Sequence, residues 1–437
     1  MVGPLVRLAM CSVARRLLDG RGLRLPCATM TTAAAVPGDE RESFGAARAI
    51  AYGAGNAGAG TLFAFMNTAV PLYLGSYGFS NAWIGLFSQE RPPTAGIGQI
   101  VIGALSDRTR ARLGRRRPYI LVGIPIAVLA LLGLIPHPPI AVVVALLLVL
   151  TMAFAAGYGP YLALLPDLVP EDRRSRVGGV LNITNMVGQL AILVAAMQLW
   201  SSNERLIFWL VAGALLVGFA ITVLFLPEPR PIAPPPPTRI DPGAYFRGVF
   251  AHREVMKFLF ATLFFWFGTA GVVPFITRFA VTELDTTEGV AFQLFIIAVA
   301  GTALGTLPAG WLGDRIGKKP VMLAGFGLFG VTALVGSQLR TPESAMVAMA
   351  VIGIANAACT VPLLPLLADL IPRDRAGEFT GIGTGVWEFA QPFGAVAGGL
   401  IADATGSLRW TLVAAGILVL VAGALLTRVH PPRIATA

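Results

Sequence analysis

Gly103 to Arg117 reads G-A-L-S-D-R-T-R-A-R-L-G-R-R-R, a charged hinge with an apolar run on either side. A shorter copy stands at Gly310 to Lys319, G-W-L-G-D-R-I-G-K-K, in the same setting. Both carry Gly-x-x-x-Asp-Arg, then a glycine, then consecutive cations. A small residue at Gly103 or Gly310 lets neighbouring helices approach closely. The carboxylate of Asp107 or Asp314 suits the exposed N–H groups of a helix start, or an arginine. The cations favour the cytoplasmic side of a membrane. Charge as a topology signal accounts for the arginines. It does not account for glycine, aspartate and arginine recurring in one order, so the duplicated hinge points to two related halves.

Outward from the hinges, the flanks read as membrane spans. The 437 residues are 55% hydrophobic and 13% charged, against about 25% charge in globular proteins, and the mean hydropathy is +0.73. A span needs roughly 20 mostly apolar residues. Twelve stretches qualify: 49–74, 82–105, 119–136, 140–166, 177–200, 206–226, 256–280, 290–312, 320–339, 344–370, 379–402 and 409–427. The net charge of +10 would suit nucleic acid, but the cations sit in short loops between apolar runs, so no nucleic-acid partner is expected. One side collects Arg108, Arg110, Arg112, Arg115 to Arg117, Arg173, Arg174, Arg176, Arg315, Lys318 and Lys319. The other holds Arg205, Arg278, Arg340 and Arg409, one per loop. The positive-inside rule places the first side, and both termini, in the cytoplasm, with the plasma (cell inner) membrane as the expected location. Cys11, Cys27 and Cys359 have no metal-ligand spacing, and a disulfide framework is not expected.

Residues 1–47 differ from the rest. Five arginines face the single acid Asp19 before Met30, and no apolar h-region follows. An over-extended start is the expectation, with Met30 opening a short polar leader; a transit peptide would share the Arg-rich, acid-poor composition. A bundle over 48–226 is followed by a cytoplasmic linker at 227–254 that contains Pro234 to Pro237. A second bundle covers 255–428, and a tail covers 429–437.

The halves repeat. Val70-Pro71 matches Val273-Pro274 at an offset of 203, and Asp107-Arg108 matches Asp314-Arg315 at 207. Leu164 to Arg173, L-L-P-D-L-V-P-E-D-R, matches Leu366 to Arg375, L-L-A-D-L-I-P-R-D-R, at 202. The fall from 207 to 202 arises in the hinge, where Asp107 to Pro118 spans 11 positions and Asp314 to Pro320 spans 6. Parallel repeats of this kind place a midplane site between two rocking halves.

The paired hinges resemble the signature loops of the major facilitator superfamily, between spans two and three and again between eight and nine. The longer copy, ending Gly114-Arg115-Arg116-Arg117-Pro118, is similar to that of the glycoside–pentoside–hexuronide symporters and their sucrose-transporter relatives. The resemblance implies an all-α integral membrane protein of twelve transmembrane helices in two pseudo-symmetric six-helix bundles. It also implies a gating role where spans four and ten end, at Asp167 and Asp369, each followed within six residues by Asp-Arg. With Gly103, Asp107, Arg108, Arg173, Gly310, Asp314, Arg315 and Arg375 these form the candidate gates, paired in one state and parted in the other. Static anchoring of helix ends is the plainer alternative.

Ionisable residues inside spans cost about 2.5–3.5 kcal/mol at the centre, so each is a site candidate. Glu90 and Arg91 are adjacent in span two, and Glu388 sits in span eleven. At about 1.5 Å per residue, Arg91 lies roughly 13 Å and Glu388 roughly 21 Å below the outer ends of their spans, so their side chains could nearly meet. All three histidines fall at span ends, which leaves carboxylates to carry a coupling proton. A structural ion pair joining the halves is the alternative reading. Candidate substrate contacts are Asn56, Tyr158, Asn185, Gln189, Trp266, Gln293, Asn356, Trp387 and Gln391, amides for hydroxyls and aromatic faces for a ring. Amides also bond helix to helix.

No phosphate-cradling Gly-x-x-x-x-Gly-Lys-Ser/Thr is present, so ATP is not the expected driver, and no enzyme signature or cofactor is expected. The expectation is a monomeric secondary transporter in the bilayer, importing a sugar or glycoside with protons, or with sodium. The rival is an exporter of lipophilic compounds. Such exporters usually carry Gly-Pro in span five, which Val187-Gly188-Gln189 lacks, though Gln391-Pro392-Phe393-Gly394 has a similar flavour in span eleven. A transport-inactive sensor or scaffold is a further rival, against which the two intact hinges argue.

Overall fold

The computed structural model describes residues 45–89, 102, 105–106, 109, 114–169, 171–226, 252–371 and 376–430. Of the candidate site residues, Glu90, Arg91, Gly103, Asp107, Arg108 and Arg375 lie outside these, as do Arg110, Arg112, Cys11, Cys27 and Pro234 to Pro237.

Each of the twelve apolar stretches contains helix among its described residues. We number the helices by span: α1 Ala46–Ser76, the start of α2 Asn81–Phe87, α3 Arg117–Leu132, and α4 Ile140–Leu162 continued by Leu164–Leu168. Helices α5 and α6 run together over Glu171–Phe225 and part at Asn203, whose backbone leaves the helical region. In the second half α7 is Arg253–Ala270, a 3₁₀ turn Val273–Phe275, and Ile276–Glu283; α8 is Glu288–Ile316 and α9 is Lys318–Gly336. Then come α10, Pro342–Thr360 with Leu363–Leu370, α11 Ala376–Thr405 and α12 Arg409–Thr427. Among the described residues eight helical stretches are long and apolar enough to cross a membrane, and one of them, Arg176–Phe225, contains both α5 and α6. The fold is two six-helix bundles.

Three spans that the sequence reads as continuous are broken. Proline lacks an N–H and its ring crowds the carbonyl four residues back. Pro166, Pro274 and Pro365 stand four residues after Leu162, Ala270 and Val361, where α4, α7 and α10 are interrupted. Pro71, Pro125, Pro160, Pro308 and Pro392 lie within helices that continue past them.

Helix α1 packs along α5 and α6, α3 on α4, α8 on α10, and α12 on α7 and α9, while α2 meets α11 and α5 meets α8 across the halves. The second half has an aromatic core that includes Phe258, Phe265, Phe326 and Trp387. Trp209 and Trp410, at the starts of α6 and α12, are exposed as interface anchors should be.

Close approach depends on glycine, but not at Gly310, the described one of the two hinge glycines. A Cβ on Gly188 would overlap the carbonyl oxygen of Ala57 on α1, whereas a Cβ on Gly310 would meet Val361 Cγ1 at an ordinary 3.9 Å. The reading of Gly310 as a close-packing site is therefore corrected: α8 leaves room for a methyl group there. Gly188→Ala should cost about 1–3 kcal/mol by overpacking, and Gly310→Ala almost nothing. Thermal unfolding of the detergent-solubilised protein separates the two.

Candidate functional site

Four of the sequence-chosen residues in the first half meet between α1, α4 and α5. Tyr158 OH donates to Asn56 Oδ1 at 3.0 Å, and Asn56 Nδ2 donates to Leu181 O at 2.7 Å. Asn185 Nδ2 donates to Asn56 O at 3.2 Å, and Gln189 Nε2 to Asn185 Oδ1 at 2.8 Å. Asn56 and Tyr158 are buried, and the Tyr158 ring stacks on Phe154 and meets Phe63 edge-on. These amides bond helix to helix, so they are largely satisfied by the protein.

The second half differs. Trp387 Nε1 donates to Thr262 Oγ1 at 2.9 Å and packs into the aromatic core. Gln391 Nε2 reaches back one turn to Trp387 O at 3.4 Å, as its repeat mate Gln189 does to Asn185. Trp266 Nε1 is enclosed and has no acceptor among the described residues. Gln293 is half-buried. Asn356 lines a cavity of about 170 Å³ between α7, α8, α9, α10 and α12, whose walls include Phe295, Phe329, Met349, Ile352 and Leu412, with Thr302 also contributing. Glu388 is half-buried on α11 and engaged.

At the cation-rich end the halves carry matching networks. Asp167 is bound by two loop arginines, Arg115 Nη2 at 2.7 Å and Arg116 Nε at 2.5 Å. Asp369 is bound by Lys318 Nζ at 2.6 Å. Lys318 stands 202 positions after Arg116, the offset that also separates Asp369 from Asp167. The next cation in each copy caps the last helix of its half: Arg117 donates to Leu226 O, and Lys319 to Thr427 O and Val429 O. The second hinge's own aspartate departs from expectation. Asp314 is exposed and has no partner among the described residues, and Arg315 stacks its guanidinium 4.1 Å from the Trp311 ring. With Arg116 only 8% exposed and Lys318 30% exposed, the two networks should respond unequally. Asp167→Asn leaves a nearly buried cation without its carboxylate and should cost about 1–3 kcal/mol. Asp369→Asn should cost less than about 1 kcal/mol. Melting curves of the two variants test the ranking.

Among the described residues the polar contacts that join the halves lie at the cation-poor end, where no motif in the sequence pointed to them. Asp403, just past predicted span eleven, caps the start of α2: its carboxylate accepts from Asn81 N at 2.8 Å, Asn81 Nδ2 at 2.9 Å and Ala82 N at 2.9 Å. Arg278 Nη1 donates to Asn81 Oδ1 at 2.8 Å, and Thr277 Oγ1 to Thr68 O at 2.9 Å. Trp200 on α5 meets Phe292 on α8, with ring centroids 5.6 Å apart. Burial alone would raise the Asp403 carboxyl, but the bonds from Ala82 N, Asn81 and Ser80 outweigh it and keep it below the usual carboxylate range. A lowered carboxylate supports the clasp above its ordinary titration range and stops doing so only as pH falls through the lowered value.

A two-bundle helical membrane protein clasped at one end has the architecture of a secondary transporter. A family model described as Major Facilitator Superfamily matches residues 53–302 and 258–437, and the chain belongs to that family of integral membrane transporters. It is 24% identical over 355 residues to multidrug resistance protein MdtG of Enterobacter lignolyticus, covering 78% of this chain and 81% of that protein. It is 25% identical over 381 residues to MdtG of Escherichia coli, covering 82% and 88%. Among solved structures it resembles a bacterial homologue of the human lysosomal transporter Spinster in an inward-facing, occupied conformation, with TM-score 0.70, 15% identity and coverage of 90% and 98%. It also resembles a D-xylose–proton symporter, with TM-score 0.68, 15% identity and coverage of 88% and 98%. At that identity both show the fold alone. The relatives by sequence named here are multidrug resistance proteins, not glycoside symporters.

Proposed function

We propose that this transporter exports lipophilic small molecules from the cytoplasm by alternating access, driven by the proton gradient across the plasma (cell inner) membrane. The carrying observation is the apolar cavity of the second half. Its volume of about 170 Å³ is that of an aromatic ring system, and the walls offer Thr269, Thr302 and Asn356 against a majority of apolar side chains. An apolar cavity of about 150 Å³ is large enough to take benzene. The MdtG names point the same way. Glycoside uptake, the first expectation, needs amides free to bond hydroxyls, yet Asn56, Asn185 and Gln189 are turned to one another. What favours uptake as a second reading is the unused Trp266 Nε1, a donor that could meet a ligand oxygen.

With the cation-rich end in the cytoplasm, as the charge pattern expects, the clasped state is closed to the outside. Asp314, exposed and with no partner among the described residues, would be available to bind a cation when the cytoplasmic end closes. Protonation and release at Glu388, with Glu90 and Arg91, would couple the cycle to protons, and no cofactor would take part. Fluorescent lipophilic dyes and labelled glycosides, offered to cells with and without the protein, test the reading. The expected result is several-fold lower dye retention, abolished by a protonophore, with no glycoside uptake. Proton-linked glycoside uptake without an effect on dyes would overturn it.

A further inference from the structure

The cation-poor end is fastened differently in the two halves. In the second half Arg409, at the start of α12, donates to Ser337 O at 2.8 Å and Leu339 O at 2.7 Å in the turn after α9, and to Glu283 Oε2 at 3.1 Å. An arginine keeps its charge at every relevant pH, so this tie is permanent. The first half makes the equivalent tie, from the turn after α3 to the start of α6, with His137 Nε2 and Glu204 Oε1 at 3.1 Å. Histidine is the side chain whose charge ordinarily changes between about pH 5 and 8.

The imidazole is placed with care. His137 has a positive φ of 52°, which a non-glycine residue adopts at a cost. Its ring lies parallel to Tyr77, 6.0 Å between centroids, and 5.2 Å from Tyr73. Both tyrosines are on or next to the end of α1, and their hydroxyls donate to the same turn, Tyr77 to Pro138 O and Tyr73 to Leu134 O. Four residues past Tyr77 stands Asn81, the first-half member of the clasp. Glu204 shares a polar hollow with Arg205 and with Glu288 from the start of α8. The charged and titratable groups around His137 are therefore Glu204 and its neighbours Arg205 and Glu288, with Tyr73 and Tyr77 on α1.

We propose that His137 is a proton-sensitive latch: its protonation at the cation-poor end fastens the α3–α4 turn to Glu204 and stabilises the state closed at that end. The ion pair with Glu204 needs a charged imidazole, so the latch is strongest at low pH and weakens as pH rises through the ordinary range of histidine. Asp403 cannot produce that dependence, because it stays ionised throughout it. The expected outside orientation would make the latch a sensor of external acidity.

The test needs no substrate. Spin labels on Ser202→Cys and Arg340→Cys, both exposed, report the distance between the halves at this end, with Cys11 and Cys27 replaced by alanine. From pH 5 to pH 8 the closed-to-open ratio should fall by about threefold, the size an exposed ion pair supports. His137→Gln and Glu204→Gln should flatten the profile. His137→Lys, a fixed cation, should keep the end closed at both pH values. A flat wild-type profile overturns the proposal, as does an unchanged profile in His137→Gln. If that variant fails to fold, a pH-dependent His137→Lys or an unaltered Glu204→Gln overturns it instead.

Discussion

Glu388→Gln is expected to abolish proton-driven accumulation of substrate while leaving exchange down a concentration gradient largely intact. A carboxylate within a span costs about 2.5–3.5 kcal/mol to place there, so one retained in α11 calls for a function. Glu388 is half-buried and engaged, on the helix that meets α2 across the halves. A group in that position changes surroundings whenever the halves rock, which is what loading a proton on one side and releasing it on the other requires. Glutamine keeps the shape and the hydrogen bonding of the protonated form but cannot lose a proton. Proteoliposomes with an imposed pH gradient, loaded with a dye that the wild-type protein accumulates, provide both readings. If Glu388→Gln still concentrates the dye, the carrier is elsewhere, and Glu90 is next to be changed. If it loses exchange as well, Glu388 is a substrate contact or a structural partner.

The legibility of this chain in its sequence is uneven for physical reasons. Helices were readable because each span must be apolar over roughly 20 residues, and that constraint acts on every position. The two-fold repeat was readable because both hinges kept their glycine, aspartate and cations in order. The breaks in α4, α7 and α10 were signalled by Pro166, Pro274 and Pro365, but proline alone does not decide, since Pro308 and Pro392 sit in helices that run on. The partners of Asp167 and Asp369 carried a signal that went unused. Arg116 and Lys318 are separated by the same 202 residues as the aspartates they bind, so the repeat named the pairs. Nearness in sequence does not name such pairs, because helix ends select partners by proximity in space. The residues of the amide cluster around Asn56 are legible as polar positions within spans, but that they converge and bond one another is not. The clasp was out of reach. Asp403 and Asn81 are 322 positions apart, and a single carboxylate after a span looks like any helix end.

Gly399→Val is expected to arrest the transport cycle by wedging the clasped end open. Gly399 lies on α11 one turn before Asp403, against the start of α2 in the other half. A Cβ there would overlap the carbonyl of Asn81 and crowd Ala82 N, which is backbone and cannot swing aside. Gly85 makes the reciprocal approach from α2 onto the carbonyl of Ala395. The two glycines thus let the helices come near enough for Asp403 to reach the N–H groups of Asn81 and Ala82. Overpacking costs about 1–3 kcal/mol, a factor of roughly 5 to 150 in the population of the closed state. Because the overlap is between halves, each bundle should fold and melt normally, unlike Gly188→Ala, whose overlap lies within the first half. Gly385→Ala is the control on the same helix, since a Cβ there meets nothing within 4 Å. Spin labels at Ser202→Cys and Arg340→Cys should show the cation-poor end open at every pH in Gly399→Val, with dye transport near background and an unchanged melting temperature. A closed end with normal transport in that variant would mean that α2 and α11 need not approach this closely at any step of the cycle.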